Sequence, residues 1–87
     1  MTNPLDPTQE SSKLSFKFKP VSSKGLSGYS YNDQSYVLTV QYPNGQVWSY
    51  FNVFPNVISQ VFDSGGSIGS NFHHLVKTAG YLSQKLV

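Results

Sequence analysis

A Gly/Ser segment near the C-terminal third of the 87-residue chain has residue types suited to anion binding. It leads into a predicted short helix, where exposed backbone N–H groups and the helix dipole favour a negative charge. The Lys-Ser/Thr ending of a nucleotide P-loop is missing, and a plain loop between two helices would have a similar sequence. The candidate ligand-binding residues in this segment are Gly65, Gly66, Ser67, Gly69, Ser70 and Asn71.

Two histidines and a lysine follow within two helical turns, at His73, His74 and Lys77. Adjacent helical side chains point about 100° apart, so the histidine pair is poorly placed to chelate one metal ion. Because the chain also has no cysteine, we predict no metal site and no cofactor. We count all three residues as candidate ligand contacts. The alternative is that one histidine is partly buried and the other is solvated.

Aromatic residues form the second candidate binding feature, and Trp48 and Tyr50 are its central members. An aromatic sheet face with lysines nearby is a common way to stack a nucleobase or single-stranded nucleic acid. The alternative is that the same face packs beneath helices or forms a dimer interface, because aromatic side chains also dominate both of these.

The charged residues argue against catalysis. The four acids are Asp6, Glu10, Asp33 and Asp63, which the sequence places in an N-terminal tail and in two different turns. No paired carboxylates and no nucleophile frame are visible, so we predict that the protein is not an enzyme. The net charge is only +2 and arginine is absent, which disfavours tight binding of a nucleic-acid polymer and suits a free nucleotide better.

The elements that must position these residues are predicted from periodicity and turn signals. Residues 14–19 alternate apolar and polar types and predict an edge strand, whereas residues 1–13 predict a disordered tail. Three strands between about Tyr29 and Val53 form a meander, because Asn44-Gly45 is a strong hairpin signal. On the last of these strands, Val53 is predicted to face away from Trp48 and Tyr50.

Two short helices follow. Pro55 is predicted to begin the first, and Ser70 or Asn71 to cap a second that ends near Gly80. Residues 81–87 fit either a last strand or a frayed helix. We therefore predict an α+β fold in which an antiparallel β-meander of three to four strands is followed by two short helices packed on one face. Residues 14–87 would form this single domain.

The stretch from Val21 to about Lys77 resembles the KTSC domain, a small module named after the C-terminus of some lysyl-tRNA synthetases and also found free-standing in bacteria and phages. The shared features are a Ser-Ser pair at Ser22–Ser23 and a Gly-x-Val-aromatic-x-Tyr-aromatic-x-Val run over 45–53. A Pro-led helix from Pro55 and a Gly-x-x-Phe segment over 69–72 follow in the same order. The resemblance implies a small β-meander with helices, no established activity and a suggested role in RNA binding.

These observations predict a small non-catalytic module that binds a nucleotide or single-stranded nucleic acid through the Gly/Ser loop and aromatic stacking. If the protein is phage-encoded, sequestering a nucleotide signal is one expected role. The alternative is a protein-interaction or self-assembly module with no small ligand. Small size and the absence of cysteine favour a homo-oligomer. No membrane span or signal peptide is evident, so we expect a cytoplasmic protein.

Overall fold

The computed structural model describes residues 18–87. Its five antiparallel strands lie side by side in chain order and form one sheet. They are β1 (Lys19–Pro20), β2 (Gly28–Asn32), β3 (Val37–Gln41), β4 (Val47–Tyr50) and β5 (Ser83–Lys85). Helix α1 (Pro55–Phe62), helix α2 (Ile68–Phe72) and a π-helical turn (His73–Lys77) connect β4 to β5. The predicted α+β fold is confirmed, with five strands instead of three to four.

Two sequence predictions concern the N-terminal region. The tail predicted over residues 1–13 lies outside the described residues, and so does most of the edge strand predicted over 14–19. At the other end of the chain, β5 pairs with β4 and resolves the ambiguity over residues 81–87 in favour of a strand. Among residues 18–87, no helix has the length and apolar character needed to cross a bilayer.

The hydrophobic core lies between one face of the sheet and the helices. Alternate residues of β3 and β4 point towards α1 and α2, because successive strand side chains face opposite ways. The buried apolar cluster contains Leu26, Leu38, Val40, Tyr50, Val53, Val61, Phe72 and Val76. It joins two central strands to both helices and the π-helical turn, so the packing of the helices on one sheet face is confirmed.

The opposite sheet face is polar at its centre. Ser30, Thr39, Ser49 and Gln84 lie in register across four strands. The hydroxyl oxygens of Thr39 and Ser49 are 2.8 Å apart, and both side chains are buried. Their mutual hydrogen bond compensates for their removal from water.

The predicted orientation of Val53 is wrong, and the backbone supplies the reason. Asn52 has a φ of 62°, in the left-handed region, where strand alternation cannot continue. The chain therefore turns after β4, and Val53 enters the core beside Tyr50. The Val53 N–H donates to the carbonyl of Tyr36, another non-glycine residue with positive φ, and the Tyr31 hydroxyl donates to the Val53 carbonyl over 2.6 Å.

The helix boundaries follow ordinary capping chemistry. Pro55 is the first residue of α1, as predicted. After α1, Gly65 and Gly66 both have positive φ and reverse the chain. The N-cap of α2 is Ser67, whose side chain accepts a hydrogen bond from the Ser70 N–H. The predicted cap at Ser70 or Asn71 is therefore wrong, because the helix begins at Ile68 and both residues lie inside it, where Ser67 caps the Ser70 N–H.

Candidate functional site

A cavity at the β3–β4 hairpin brings aromatic rings and a lysine together. Its volume is about 500 Å³, which falls in the range of small-molecule sites. We call it the aromatic pocket. It is lined by Tyr42, Pro43, Asn44, Gln46, Trp48, Tyr50, Lys77 and Ser83. Three of the residues predicted from the sequence, Trp48, Tyr50 and Lys77, thus meet in one place.

The hairpin turn fixes the wall of the pocket. Gly45 has a φ of 92°, which the Asn44-Gly45 turn requires, and its N–H donates to the Tyr42 carbonyl. The Tyr42 N–H donates to the Gln46 carbonyl over 2.8 Å, so the two residues pair at the end of the hairpin. Tyr42 and Trp48 pack against the core on the helix-facing side of the sheet, at the turn end of the hairpin.

Tyr42 and Tyr50 form the floor of the pocket through a hydroxyl pair. Their oxygens are 2.7 Å apart. Both rings contact the buried ring of Phe72 edge-on, with centroid distances of 6.1 Å for Tyr42 and 5.6 Å for Tyr50. Burial, followed by the hydrogen bond to Tyr50, raises the pKa of Tyr42 above its usual 10.0. The phenol therefore stays neutral at physiological pH and presents a hydrogen-bonding group to the pocket.

Trp48 is better placed than Tyr50 for stacking. Tyr50 is only 5% exposed, whereas Trp48 is half-buried, and both line the cavity. The indole Nε1–H of Trp48 donates to the Gln46 side-chain oxygen over 3.1 Å, which restrains the ring. Trp48 therefore has more ring surface accessible to a ligand than Tyr50 does.

The π-helical turn explains how Lys77 reaches the pocket. In an α-helix, residues five apart are rotated by roughly 140° around the axis, so Phe72 and Lys77 would diverge. Here the Thr78 N–H donates to the His73 carbonyl, an i to i+5 bond that widens the turn. Phe72 packs under Tyr42 while the Lys77 ammonium lies 5.5 Å from the centroid of the same ring. π-Turns are frequent at functional sites.

The Gly/Ser segment lines a different cavity, of about 470 Å³, that shares no residue with the aromatic pocket. We call it the Ser/Gly cavity; it is formed by residues 22–25 and 66–70. The predicted residues Gly66, Ser67, Gly69 and Ser70 meet the Ser-Ser pair there. Several polar groups at this junction already have protein partners: Ser67 caps α2, and the Gly25 N–H donates to the Ser23 hydroxyl.

The remaining predicted residues belong to neither cavity. The Asn71 amide donates to the carbonyls of Val61 and Gly65, which ties α2 to the end of α1. His73 and His74 are both exposed, and their rings contact each other edge-on at 5.3 Å. Within residues 18–87, no three His, Cys, Asp or Glu side chains cluster closely enough to hold a metal ion.

Sequence reasoning counted Tyr42 among the aromatic residues of the meander but did not place Gln46 or Ser83 at a binding site. The hairpin signal at Asn44-Gly45 was sufficient to pair Tyr42 with Gln46 across the turn. Ser83 had no such signal, because its place beside Tyr50 depends on β5 returning to the sheet from a distant part of the chain.

The fold has a solved relative. A KTSC domain protein from Yersinia pestis, known from its crystal structure, aligns with a TM-score of 0.70 and 26% sequence identity, over 82% of this chain and 97% of that one. Neither a protein-family model nor a curated protein matches the sequence. The sequence resemblance and the structural alignment agree, and the chain has the fold of the KTSC domain.

Proposed function

We propose that this domain is a non-catalytic binding module whose aromatic pocket holds the base of a nucleotide or of a short single-stranded nucleic acid. The observation that carries the proposal is the meeting of Trp48, Tyr42 and Lys77 around one open cavity of about 500 Å³. A nucleobase offers a flat ring to an indole face, and its phosphate offers a negative charge to an ammonium.

The polar groups of the pocket suit a base edge. The Tyr42 and Tyr50 hydroxyls, with the side chains of Asn44, Gln46 and Ser83, supply donors and acceptors around the rings. A few directional polar groups in an otherwise aromatic cavity are typical of small-molecule sites. Lys77 stands at the rim, and Lys85 lies in register with Trp48 on the same face.

The Ser/Gly cavity is not required by this proposal. Its separation from the aromatic pocket means that one mononucleotide need not contact both. Anion binding at this cavity stays a prediction for Gly66, Ser67, Gly69 and Ser70. The nucleotide titrations described below also test it when they are repeated with Ser70→Ala. This variant keeps the helix cap, because Ser70 contributes its backbone N–H to the cap and not its hydroxyl.

The experiment exploits the single tryptophan of the chain. Because Trp48 lines the pocket, its fluorescence reports a stacked base directly. We would titrate the protein with AMP, ADP, GMP, UMP and short oligoribonucleotides, and follow both Trp48 quenching and the melting temperature. Quenching with thermal stabilisation is expected, since a ligand that binds only the folded state raises its stability.

Matched lysine variants separate specific binding from general charge attraction. Lys77→Gln should weaken ADP binding about tenfold, the loss of roughly 1.4 kcal/mol for one charge-assisted contact. Lys19→Gln is the control, because Lys19 also lies near a tyrosine ring, 5.9 Å from that of Tyr29, but lines neither cavity. Equal effects of both variants, or no quenching by any nucleotide or oligoribonucleotide, would refute the proposal.

A protein-interaction role is the second candidate. It is favoured by exposed apolar side chains at the C-terminal edge of the sheet, where Leu82, Leu86 and Val87 are accessible to solvent. Self-association through this edge is compatible with a nucleotide in the aromatic pocket.

A further inference from the structure

The outer edge of β5 is one of the two edges of the described sheet. Within residues 18–87, β5 pairs on one side with β4 and no strand pairs with its other side. The ladder to β4 uses the Leu82 carbonyl and the Leu86 N–H. Because hydrogen-bonded positions alternate along an antiparallel strand, the N–H and C=O groups of Ser83 and Lys85 point outward. Such an edge is a template for another strand.

We propose that two copies of the chain pair through β5, antiparallel about a two-fold axis at Gln84, and that each copy thereby supplies Lys85 to the aromatic pocket of the other. The occupant of the edge is thus a second copy of this chain. The role of the partner's Lys85 in the aromatic pocket rests on the proposed function, whereas the pairing of the two β5 strands does not depend on it.

The register follows from the side chains. With Gln84 opposite its own copy, Leu82 lies opposite the partner's Leu86 on the sheet face that points away from the helices. The two-fold axis repeats this leucine pair, so the dimer contains two such contacts. Leu82 is 73% exposed and Leu86 is 37% exposed in the single chain. A register centred on Lys85 would instead place two lysines directly opposite each other, which is unfavourable.

The same register places a cation at the pocket. Ser83 and the partner's Lys85 would exchange both backbone hydrogen bonds, with their Cα atoms about 5.5 Å apart and their side chains on one face. Ser83 lines the aromatic pocket and is paired with Tyr50. The partner subunit's Lys85 therefore enters at the Ser83 side, opposite the hairpin, and adds one more ammonium group to Lys77 and the chain's own Lys85.

Cysteine cross-linking tests the pairing without any ligand, because the natural chain has no cysteine. Gln84→Cys should form a disulfide-linked dimer under mild oxidation, since directly opposed positions fall within disulfide reach. Ser83→Cys should cross-link efficiently only when mixed with Lys85→Cys. Efficient cross-linking of Ser83→Cys alone would overturn the register, and a wild-type mass of 9.7 kDa by sedimentation at 100 μM would overturn the dimer.

A charge swap provides the matched control. Leu82→Lys should weaken dimerisation about tenfold or more, and adding Leu86→Glu should restore it by pairing each new lysine with a glutamate of the partner. Failure of the double variant to recover would refute the register. The ligand part is read separately by Trp48 quenching with ADP: Leu82→Lys should lower the ADP affinity several-fold and the double variant should recover it. If ADP binds equally well to the monomer and the dimer, the proposal that Lys85 is shared between copies is overturned. If the cross-linked dimer forms but ADP does not quench Trp48, only the proposed nucleotide site is refuted.

Discussion

The hydroxyl pair of Tyr42 and Tyr50 should be energetically coupled, and this coupling can be measured. Their oxygens are 2.7 Å apart, at the junction of the aromatic pocket and the core. Removing either hydroxyl leaves the other without its partner. Replacing both removes the demand for a partner altogether, so the double variant should lose less stability than the sum of the two single variants.

The magnitude depends on how well water reaches the surviving hydroxyl. Tyr50 is 5% exposed, so Tyr42→Phe strands a poorly hydrated group and should cost about 1–2 kcal/mol. Tyr42 is only half-buried, and Tyr50→Phe should cost about 0.5–1 kcal/mol because water can replace the lost partner. We expect a coupling free energy of about 1 kcal/mol.

The coupling is measured with a double-mutant cycle of wild type, Tyr42→Phe, Tyr50→Phe and the double variant, each unfolded by heat and by urea at pH 7. For a domain of this size, 1 kcal/mol corresponds to a melting-temperature shift of roughly 4–8 °C. Tyr36→Phe is the matched control, because Tyr36 is 38% exposed and should change stability by less than about 0.5 kcal/mol. Strictly additive losses at Tyr42 and Tyr50 would refute the coupling.

The pKa of Tyr42 adds a pH dependence to the same cycle. Its folded pKa is raised above the unfolded value of 10.0, so the unfolded chain loses the proton first as the pH rises. The stabilisation that the Tyr42 hydroxyl gives to the folded state is complete below pH 10 and is lost progressively above it. The stability difference between wild type and Tyr42→Phe should therefore shrink above pH 10, as measured by urea unfolding. An increasing difference would contradict the direction of the pKa shift.

Three further substitutions test the packing around the sites. Gly69→Ala should destabilise the fold by about 1 kcal/mol in urea unfolding, because its new Cβ would lie 2.8 Å from the Ser23 hydroxyl. In a Ser23→Ala background this clash is absent, and Gly69→Ala should stabilise the fold because alanine has the higher helix propensity. Asn71→Ala should lower the melting temperature by removing two hydrogen bonds while leaving ADP quenching of Trp48 unchanged. Gly28→Ala should cost about 1–3 kcal/mol, measured by urea unfolding, because a Cβ there meets the Lys19 carbonyl at 3.0 Å.

Local signals predicted much of the fold. The Asn44-Gly45 turn determines the β3–β4 register through nearby residues alone, and Pro55 marks the start of α1 for a reason internal to proline. The same local chemistry brought Trp48 and Tyr50 onto one strand face. These features required no knowledge of distant contacts.

Other features depended on distant contacts or on unusual backbone. The positive φ of Asn52 has no strong sequence signal, yet it turns Val53 into the core. The π-turn that carries Lys77 towards Tyr42 is likewise invisible to apolar periodicity, which fits an α-helix nearly as well. The pairing of β5 with β4 joins positions more than thirty residues apart. The π-turn and the β4–β5 pairing position Lys77 and Ser83, two residues that line the aromatic pocket.

The number of cations near the pocket limits the ligand that the proposed site can hold. Lys77 and Lys85 are the lysines that the described structure places beside Trp48 and Tyr42, and dimerisation through β5 would add one more. Each phosphate contact on a single strand changes the slope of log K against log salt by about −0.7, so two or three contacts give a slope of about −1.4 to −2.1. A polymer held through many phosphates would show a steeper slope. The chain has no arginine to bind phosphate with two parallel donors. At the proposed site, stacking on Trp48 would therefore supply most of the affinity, which favours a mononucleotide or a stretch of one or two bases over a long strand.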